Sequence, residues 1–197
     1  MRHPFRAALA VLALAALPVL AQDTYKIDPV HSEVSFKIRH LLAKVNGRFT
    51  KFSGDIRVDN KDITKSSVEV SIDTASINTD NEARDKHLLS DAFFDAAKYP
   101  TITFKSTAVK EVSKGKLEVT GDFTLHGVTK RVTFPISNAG TGPGMPSQPG
   151  MMVAGFVDGA LTINRNDFGI KGFPGALGGD VAIALNVEAD KVDAAKK

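Results

Sequence analysis

Histidines are the residues of this chain best suited to metal binding or proton transfer. The sequence contains five of them, at positions 3, 31, 40, 87 and 126, and it contains no cysteine. Their intervals match none of the usual spacings of zinc ligands, and no glutamate stands beside a paired histidine. We therefore predict no metal site and interpret the histidines beyond the N-terminal segment as hydrogen-bonded side chains at strand ends.

The densest polar cluster comprises Arg84, Asp85 and His87, which together could form an acid–base site. The alternative is the N-terminus of a helix, where Asp85 would interact favourably with the helix dipole, and we favour it. No Gly-x-Ser-x-Gly motif supplies a nucleophilic serine, and no glycine-rich loop between a strand and a helix indicates nucleotide binding. The sequence thus predicts no catalytic residue, no required cofactor and no enzyme.

The N-terminal segment has the pattern of a cleaved export signal. Arg2 and Arg6 precede an apolar run from Ala7 to Leu20, and the small residue Ala21 follows. Such a run is short for a transmembrane helix and typical of a signal peptide. We predict a signal peptide at residues 1–21, one domain at residues 22–197 and a periplasmic location.

Charge and composition of the remaining chain exclude further classes of protein. Cleavage would remove two arginines from a chain whose formal net charge is +3, leaving it nearly neutral. A nearly neutral domain lacks the basic surface that nucleic acids require. Without cysteines the fold has no disulfides, so its stability has to come from a buried apolar core.

Apolar and polar residues alternate in six segments, at residues 31–38, 66–73, 101–106, 116–125, 130–137 and 181–190. Strands with one apolar and one polar face are typical of antiparallel sheets, and several of them between turn residues indicate a sandwich or a barrel. Pro135 lies inside one segment and predicts an edge, a bulge or a corner there. The Gly- and Pro-rich stretch at residues 138–150 predicts a loop.

Residues 84–100, RDKHLLSDAFFDAAKYP, break this alternation. Apolar residues between Leu88 and Phe93 recur at helical spacing, which predicts a short helical insert from Glu82 to Asp95. Tyr99-Pro100 then returns the chain to an extended conformation. Phenylalanine is frequent, with 12 residues, but the pattern alone leaves open whether these rings fill a solid core or line a hollow barrel.

An ordered series of short motifs runs through the chain. It comprises Tyr25-Lys26-Ile27-Asp28 with His31-Ser32, Phe36, His40, Gly47 with Phe49, Ser76-Ile77-Asn78-Thr79, Arg84-Asp85 with His87-Leu88, Phe93-Phe94-Asp95, Tyr99-Pro100, Phe104, Gly121-Asp122-Phe123-Thr124 with His126-Gly127-Val128-Thr129, and Arg165-Asn166-Asp167-Phe168-Gly169. With this series the chain resembles the YceI-like family of periplasmic polyisoprenoid-binding proteins. The resemblance covers nearly all of the chain after residue 21.

The resemblance implies an all-β fold, namely an extended lipocalin-like antiparallel β-barrel of about eight strands with an elongated apolar interior. It also implies a bound isoprenoid lipid, such as a quinone tail or a polyprenyl phosphate. On this basis the insert would close the barrel and turn Phe93 and Phe94 toward the cavity or its rim. Arg84 and Asp85 would hold the insert in place through polar contacts.

We therefore predict a non-enzymatic protein that binds, stores or transports an isoprenoid-type lipid. The predicted apolar lining or rim residues are Phe36, Ile38, Phe49, Ile72, Phe93, Phe94, Phe104, Phe123, Phe134 and Phe168. The candidate contacts to the lipid head group are His31, His40, Arg84 and Arg165.

Two alternative functions remain open on the sequence. One is a periplasmic helper in quinone redox chemistry that uses His31, His40 or His87. The other is a scavenger of other amphiphiles, such as fatty acids or amides. We expect contact with a membrane only transiently, during lipid loading, and an edge at Pro135 would allow a homodimer.

Overall fold

The alternating segments form an antiparallel sheet of eleven strands in the computed structural model, which describes residues 22–192. The strands are β1 (Asp23–Ile27), β2 (Glu33–His40), β3 (Ala43–Phe49), β4 (Phe52–Val58), β5 (Ser67–Asp73), β6 (Ile77–Asn78), β7 (Thr101–Ser113), β8 (Lys116–Leu125), β9 (Val128–Pro143), β10 (Met152–Asn164) and β11 (Leu177–Lys191). Helix α1 spans Glu82–Leu88, and short 3-10 helices span Ile63–Lys65, Thr74–Ser76 and Arg165–Phe168.

The sheet closes on itself because the first strand pairs with the last. Tyr25 in β1 lies opposite Lys191 in β11, and farther along the same edge of β11, Leu185 lies opposite Val34 in β2. Strands β1 and β2 therefore act as one interrupted strand, and β4 and β3 continue one another beside them in the same way. The two-residue strand β6, which pairs with β3, likewise continues β5, which pairs with β4. Counted so, eight strands follow one another around an up-and-down barrel, which confirms the predicted lipocalin-like fold.

Alternation decides which side chains face the interior, and β8 shows this most clearly. Leu117, Val119, Gly121, Phe123 and Leu125 are buried, whereas the residues that alternate with them are partly exposed. Successive side chains of a strand point to opposite faces, so a two-residue period places one apolar row inside the barrel. The same rule places the apolar rows of β2 and β11 on the inner wall.

The stretch predicted as a loop at residues 138–150 is a loop from residue 144 onward, whereas residues 138–143 belong to β9, so that part of the prediction was wrong. Strand β9 continues to Pro143 because β10 pairs with it, with Met152 opposite Pro143. A β-bulge at Ala139 interrupts this pairing, since Gly155 lies opposite Gly140 and the next residue, Phe156, lies opposite Asn138. Gly140 has a φ of 103°, a conformation that favours glycine. Pro135 lies just before the point where pairing with β10 begins at Ser137, consistent with the predicted edge or corner.

The helical insert lies where it was predicted, but helix α1 ends at Leu88 and not at Asp95. The Asn81 side chain accepts a hydrogen bond from the N–H of Arg84 and begins the helix. At the other end the Ser90 hydroxyl donates to the carbonyl of His87 at 2.7 Å, and the N–H of Phe94 donates to Leu88. Phe93 and Phe94 therefore belong to irregular turns, whose direction helical spacing does not predict.

Two predictions about the ends of the chain concern residues outside the described range. The signal peptide at residues 1–21 and the last five residues of the predicted domain are not covered by residues 22–192. Within that range, none of the helices has the length and apolarity needed to cross a bilayer.

Candidate functional site

The interior of the barrel is hollow. It contains a cavity of about 390 Å³, within the range of roughly 300–1,000 Å³ that is typical of small-molecule sites. Five side chains of β11 line it, from Leu177 at one end to Val187 at the other. The regular part of this row, from Val181 to Val187, spans roughly 20 Å at about 3.3 Å per residue, and Leu177 lies beyond an irregularity at one end. The cavity is therefore elongated along the barrel wall.

The cavity wall is almost entirely aliphatic and aromatic. Its polar residues are Ser35, His40, Ser66, Ser67, Thr79, Arg84, His87 and Arg165. No aspartate or glutamate among residues 22–192 lines the cavity. Such a wall suits an apolar chain, and it offers no carboxylate pair for acid–base chemistry.

Nine of the ten predicted apolar contact residues line this cavity: Phe36, Ile38, Phe49, Ile72, Phe93, Phe94, Phe104, Phe123 and Phe134. Phe168 does not, because its 3-10 turn lies beside β9. Lys130 is 3.4 Å from Asp167 in an ion pair, and the Phe168 carbonyl is 3.0 Å from His126 Nδ1. The Phe168 ring is buried edge-on against Phe123, with centroids 5.6 Å apart, so it supports the wall without reaching the cavity.

The two adjacent phenylalanines of the insert point into the end of the cavity that lies beside α1. Phe94 packs edge-on against Phe49 of β3 at 6.1 Å. Phe93 is buried and packs against His87 at 5.1 Å and Phe173 at 5.8 Å. The segment after α1 thus joins the barrel wall to the loop that precedes β11, and it covers this end of the barrel.

Polar contacts around one buried threonine fix helix α1 to the sheet. The Thr79 hydroxyl donates to Asp85 Oδ1 at 2.5 Å and accepts from Arg84 Nε at 2.7 Å. Its backbone N–H donates to Asp85 at 3.0 Å, and its carbonyl accepts from Arg84 Nη2 at 2.6 Å. We call these contacts the Thr79 clamp. Arg84 and Asp85 therefore position the insert, as the sequence led us to expect.

The cavity opens where its lining residues become exposed. The exposed lining residues are His40, Arg84, His87 and Phe173. His87 and Phe173 pack edge-on at 5.3 Å, and His40 lies opposite Leu177, whose N–H donates to the Phe173 carbonyl. These four residues frame one opening, which we call the mouth. Phe173 and His87 were not among the predicted contacts, because Phe173 lies in an irregular segment and His87 was interpreted as part of a helix end.

Arg165 is a buried cation near the mouth. It is 5 % exposed, and its Nε and Nη1 donate to the carbonyls of Gly178 and Ile170 at 2.8 and 2.9 Å. No carboxylate within residues 22–192 forms an ion pair with it. Burial therefore lowers the pKa of its guanidinium group. A guanidinium in this state favours an anionic or hydrogen-bond-accepting group from a ligand.

His31 lies apart from the other candidate head-group contacts and does not line the cavity. Its Nδ1 is 2.6 Å from Asp28 Oδ2 and 3.9 Å from Glu188 Oε1. The hydrogen bond with Asp28 raises the pKa of His31. Burial would raise the pKa of Asp28, but hydrogen bonds from His31 and from the N–H of Val30 outweigh it and lower this pKa.

The cluster around His31 is also the place where a cation could be held. Asp28, His31 and Glu188 place one ligand atom each within 4.8 Å of one another. The short contact between His31 and Asp28 accounts for the cluster as an ion pair on the outer surface, where exposed acidic groups commonly occur without a metal. The absence of a metal site stays a prediction.

Comparisons with known proteins point to one family. The family model of the YceI-like domain matches residues 25–189. A UPF0312 protein of Vibrio parahaemolyticus is 46 % identical over 165 residues, which cover 81 % of this chain and 85 % of the relative. A UPF0312 protein of Pseudomonas putida is 41 % identical over 188 residues, covering 93 % and 94 % of the two chains.

Solved structures share the barrel. Burkholderia cenocepacia BcnA superposes with a TM-score of 0.72 at 26 % identity, covering 83 % of this chain and 99 % of its own. The Campylobacter jejuni YCEI protein has a TM-score of 0.70 at 28 % identity, with 95 % and 100 % covered. A polyisoprenoid binding domain from Saccharophagus degradans has a TM-score of 0.62 at 16 % identity, covering 85 % and 98 %, and shows likeness of fold alone.

Proposed function

The chain belongs to the YceI-like family, and from this membership and the hollow barrel we propose that it binds, stores or carries an isoprenoid-type lipid without catalysing a reaction. The observation that carries the proposal is the elongated apolar cavity of about 390 Å³, whose exposed lining residues form the mouth. The polyisoprenoid binding domain of Saccharophagus degradans, which has the same fold, supports this choice of ligand.

The energetics favour a prenyl chain in such a cavity. Burial of one methylene contributes about 0.8 kcal/mol, so ten buried carbons contribute about 8 kcal/mol before the cost of ordering the chain. Because the wall holds few polar groups, selection among ligands would depend on the length and shape of the chain. The rings of Phe36, Phe49 and Phe94 contact one another in turn, with centroids 5.9 and 6.1 Å apart, and would pack against the methyl branches of an isoprenoid.

The polar groups at the mouth are suited to a head group. Arg84 and His40 are exposed there, and Arg165 is buried nearby without a carboxylate partner. A phosphate or a quinone carbonyl could accept hydrogen bonds from these donors. We propose His40, Arg84 and Arg165 as head-group contacts and leave out His31, because it does not line the cavity. The export signal expected at residues 1–21 makes the periplasm the proposed location.

The test begins with the lipid that the protein acquires in cells. Protein purified from a bacterial periplasm is examined by native mass spectrometry, and its contents are then extracted with solvent and identified. We expect a stoichiometric polyprenyl or quinone ligand. A ligand-free mass together with no uptake of added isoprenoids would overturn the proposal, and fatty acids or amides in the extract would favour the scavenger alternative.

A matched pair of variants on β11 connects binding to the cavity. Ile183 lines the cavity, whereas its neighbour Ala184 is exposed on the outer face. We expect Ile183→Trp to fill the cavity and reduce uptake of a prenyl chain, and Ala184→Trp to leave uptake unchanged. Equal uptake by the two folded variants would show that the lipid binds elsewhere.

A second candidate function, the quinone redox helper, is favoured by one observation. His40 and His87 both line the mouth, where a quinone ring would lie if its tail occupied the cavity. The measurement is quinone turnover by the wild type and by His40→Ala and His87→Ala. Turnover that is absent in the wild type, or that both substitutions leave unchanged, removes this candidate.

A further inference from the structure

Three exposed large apolar side chains lie together at the mouth. Leu42 is 104 % exposed, Leu41 56 % and Phe173 53 %. Leu41 and Leu42 form the turn between β2 and β3, and the N–H of Leu41 donates to the Ala176 carbonyl at 2.8 Å. This bond joins the turn to the segment that carries Phe173. Exposed apolar groups clustered in this way are typical of an interaction surface.

This surface is continuous with the opening of the cavity. His40, which frames the mouth, immediately precedes Leu41, and Phe173 belongs to both the surface and the cavity lining. Leu41 and Leu42 themselves do not line the cavity. Any apolar medium that covers these leucines would therefore meet the mouth directly.

The charge of the same hairpin indicates the kind of partner. Residues 34–54 contain no aspartate or glutamate, but they contain Lys37, Arg39, Lys44, Arg48 and Lys51. Arg39 lies opposite Lys44 in the register, next to the leucine turn, and both are exposed. Within residues 22–192 neither of these two forms an ion pair, whereas Arg48 pairs with Asp80 at 3.2 Å.

We propose that this docking face, made of Leu41, Leu42 and Phe173 with Arg39 and Lys44, inserts into the surface of an anionic phospholipid bilayer. Apolar side chains enter the boundary between head groups and acyl chains, while basic side chains pair with anionic head groups. In this position the mouth lies at the boundary between head groups and acyl chains, so a prenyl chain can pass into the barrel while the polar residues of the mouth stay at the level of the head groups. The inference rests on the proposed function for its purpose, but the docking itself needs no particular cargo.

A tryptophan placed on the turn reports insertion directly, because the chain contains no tryptophan. The probe is the otherwise full-length protein with Leu42→Trp, mixed with vesicles of phosphatidylcholine alone or with phosphatidylglycerol added. The matched control is Val112→Trp, since Val112 is 51 % exposed near the far end of β7, away from the mouth. We expect a blue shift of the fluorescence of Leu42→Trp with anionic vesicles, a smaller one at high salt, and none for Val112→Trp.

Further variants separate the contributions of charge and apolar contact. Replacing both Arg39 and Lys44 by glutamine should weaken vesicle binding by at least about tenfold, because each cation near an anionic surface contributes several-fold. Leu41→Ser with Leu42→Ser should weaken it similarly at unchanged folding stability. No blue shift with anionic vesicles, or an equal shift in the control, overturns the proposal.

The remaining outcome concerns a second copy of the chain. A blue shift that appears without vesicles and grows with protein concentration would mean that the face joins two protomers, which also overturns membrane docking. Failure of docking is distinguishable from failure of the proposed function. Vesicle binding without any extractable or acquired isoprenoid contradicts only the cargo, and stoichiometric isoprenoid without vesicle binding contradicts only the docking face.

Discussion

Replacing Thr79 by valine should weaken the attachment of the helical insert to the sheet at the mouth end of the barrel. The substitution keeps the shape of the side chain and removes its hydroxyl, which donates to Asp85 and accepts from Arg84 in the Thr79 clamp. Hydrogen bonds to charged groups contribute about 1.5–3 kcal/mol each. Arg84 is exposed and Asp85 is half-buried, so both regain water in part. We therefore expect a loss of about 2–3 kcal/mol in the free energy of unfolding for the two bonds together.

The control is Thr79→Ser, which keeps the hydroxyl and removes one methyl group. Burial of a methyl group contributes about 1 kcal/mol, so the serine variant should be the more stable of the two. Urea unfolding measures the free energies, and an unchanged slope shows that the unfolded states are comparable. Hydrogen exchange at residues 82–99 and the rate of lipid release should both increase in Thr79→Val.

Two results would refute this reasoning. If Thr79→Val is as stable as the wild type to within about 0.5 kcal/mol, the clamp contributes no net stability. If Thr79→Ser loses more stability than Thr79→Val, the methyl group and not the hydroxyl holds the insert.

Three further predictions follow from other contacts. Gly47→Ala would place a methyl carbon 2.3 Å from Cζ of Phe36. We expect a loss of about 1–3 kcal/mol in the free energy of unfolding, measured with urea, and a lower uptake of prenyl chains. A variant with full stability and full uptake would contradict this prediction. Arg165→Met should cost about 3 kcal/mol in urea unfolding, because it leaves buried carbonyls without donors, and a cost no greater than that of Arg165→Lys would contradict this. The raised pKa of His31 and the lowered pKa of Asp28 mean that their ion pair stabilises the fold most between the usual values of 3.8 and 6.5. The difference in Tm between the wild type and His31→Gln should therefore be largest at pH 5–6 and shrink as the pH rises through the raised pKa of His31 or falls through the lowered pKa of Asp28; a difference that does not vary with pH would exclude this explanation.

Sequence alternation predicted the strands in which apolar side chains recur at nearly every second position. In β8 every second residue from Leu117 to Leu125 is buried, and the pattern is plain in the sequence. Strands β3 and β10 have the buried glycines Gly47 and Gly159 among their inward positions and fewer inward apolar side chains, so their apolar period is diluted. Their pairing depends on neighbouring strands distant in sequence, and no local pattern contains that information. For the same reason the extension of β9 beyond Ser137 was predicted as a loop.

The cavity lining was predicted best on regular strands, where the period fixes the direction of each side chain. Phe36, Ile38 and Phe104 face the interior as alternation requires. Phe168, His31 and Phe173 lie in turns, where no period applies. Motifs alone predicted Phe168 and His31 as ligand contacts, although neither lines the cavity, and they left out Phe173, which does. Whether the barrel is hollow also depends on how side chains from all eight strands fill space, which no single segment determines.

The pairing of β1 with β11 has a consequence for the order of folding. Tyr25 and Lys191 are partners across almost the whole described chain, so the barrel cannot close until the last strand has been synthesised. Until then the apolar row of every completed strand faces an open trough, and contacts of such large sequence separation form slowly. The growing chain therefore has to be protected from aggregation throughout its synthesis, and the arrival of β11 is the step that turns an exposed apolar surface into an enclosed chamber.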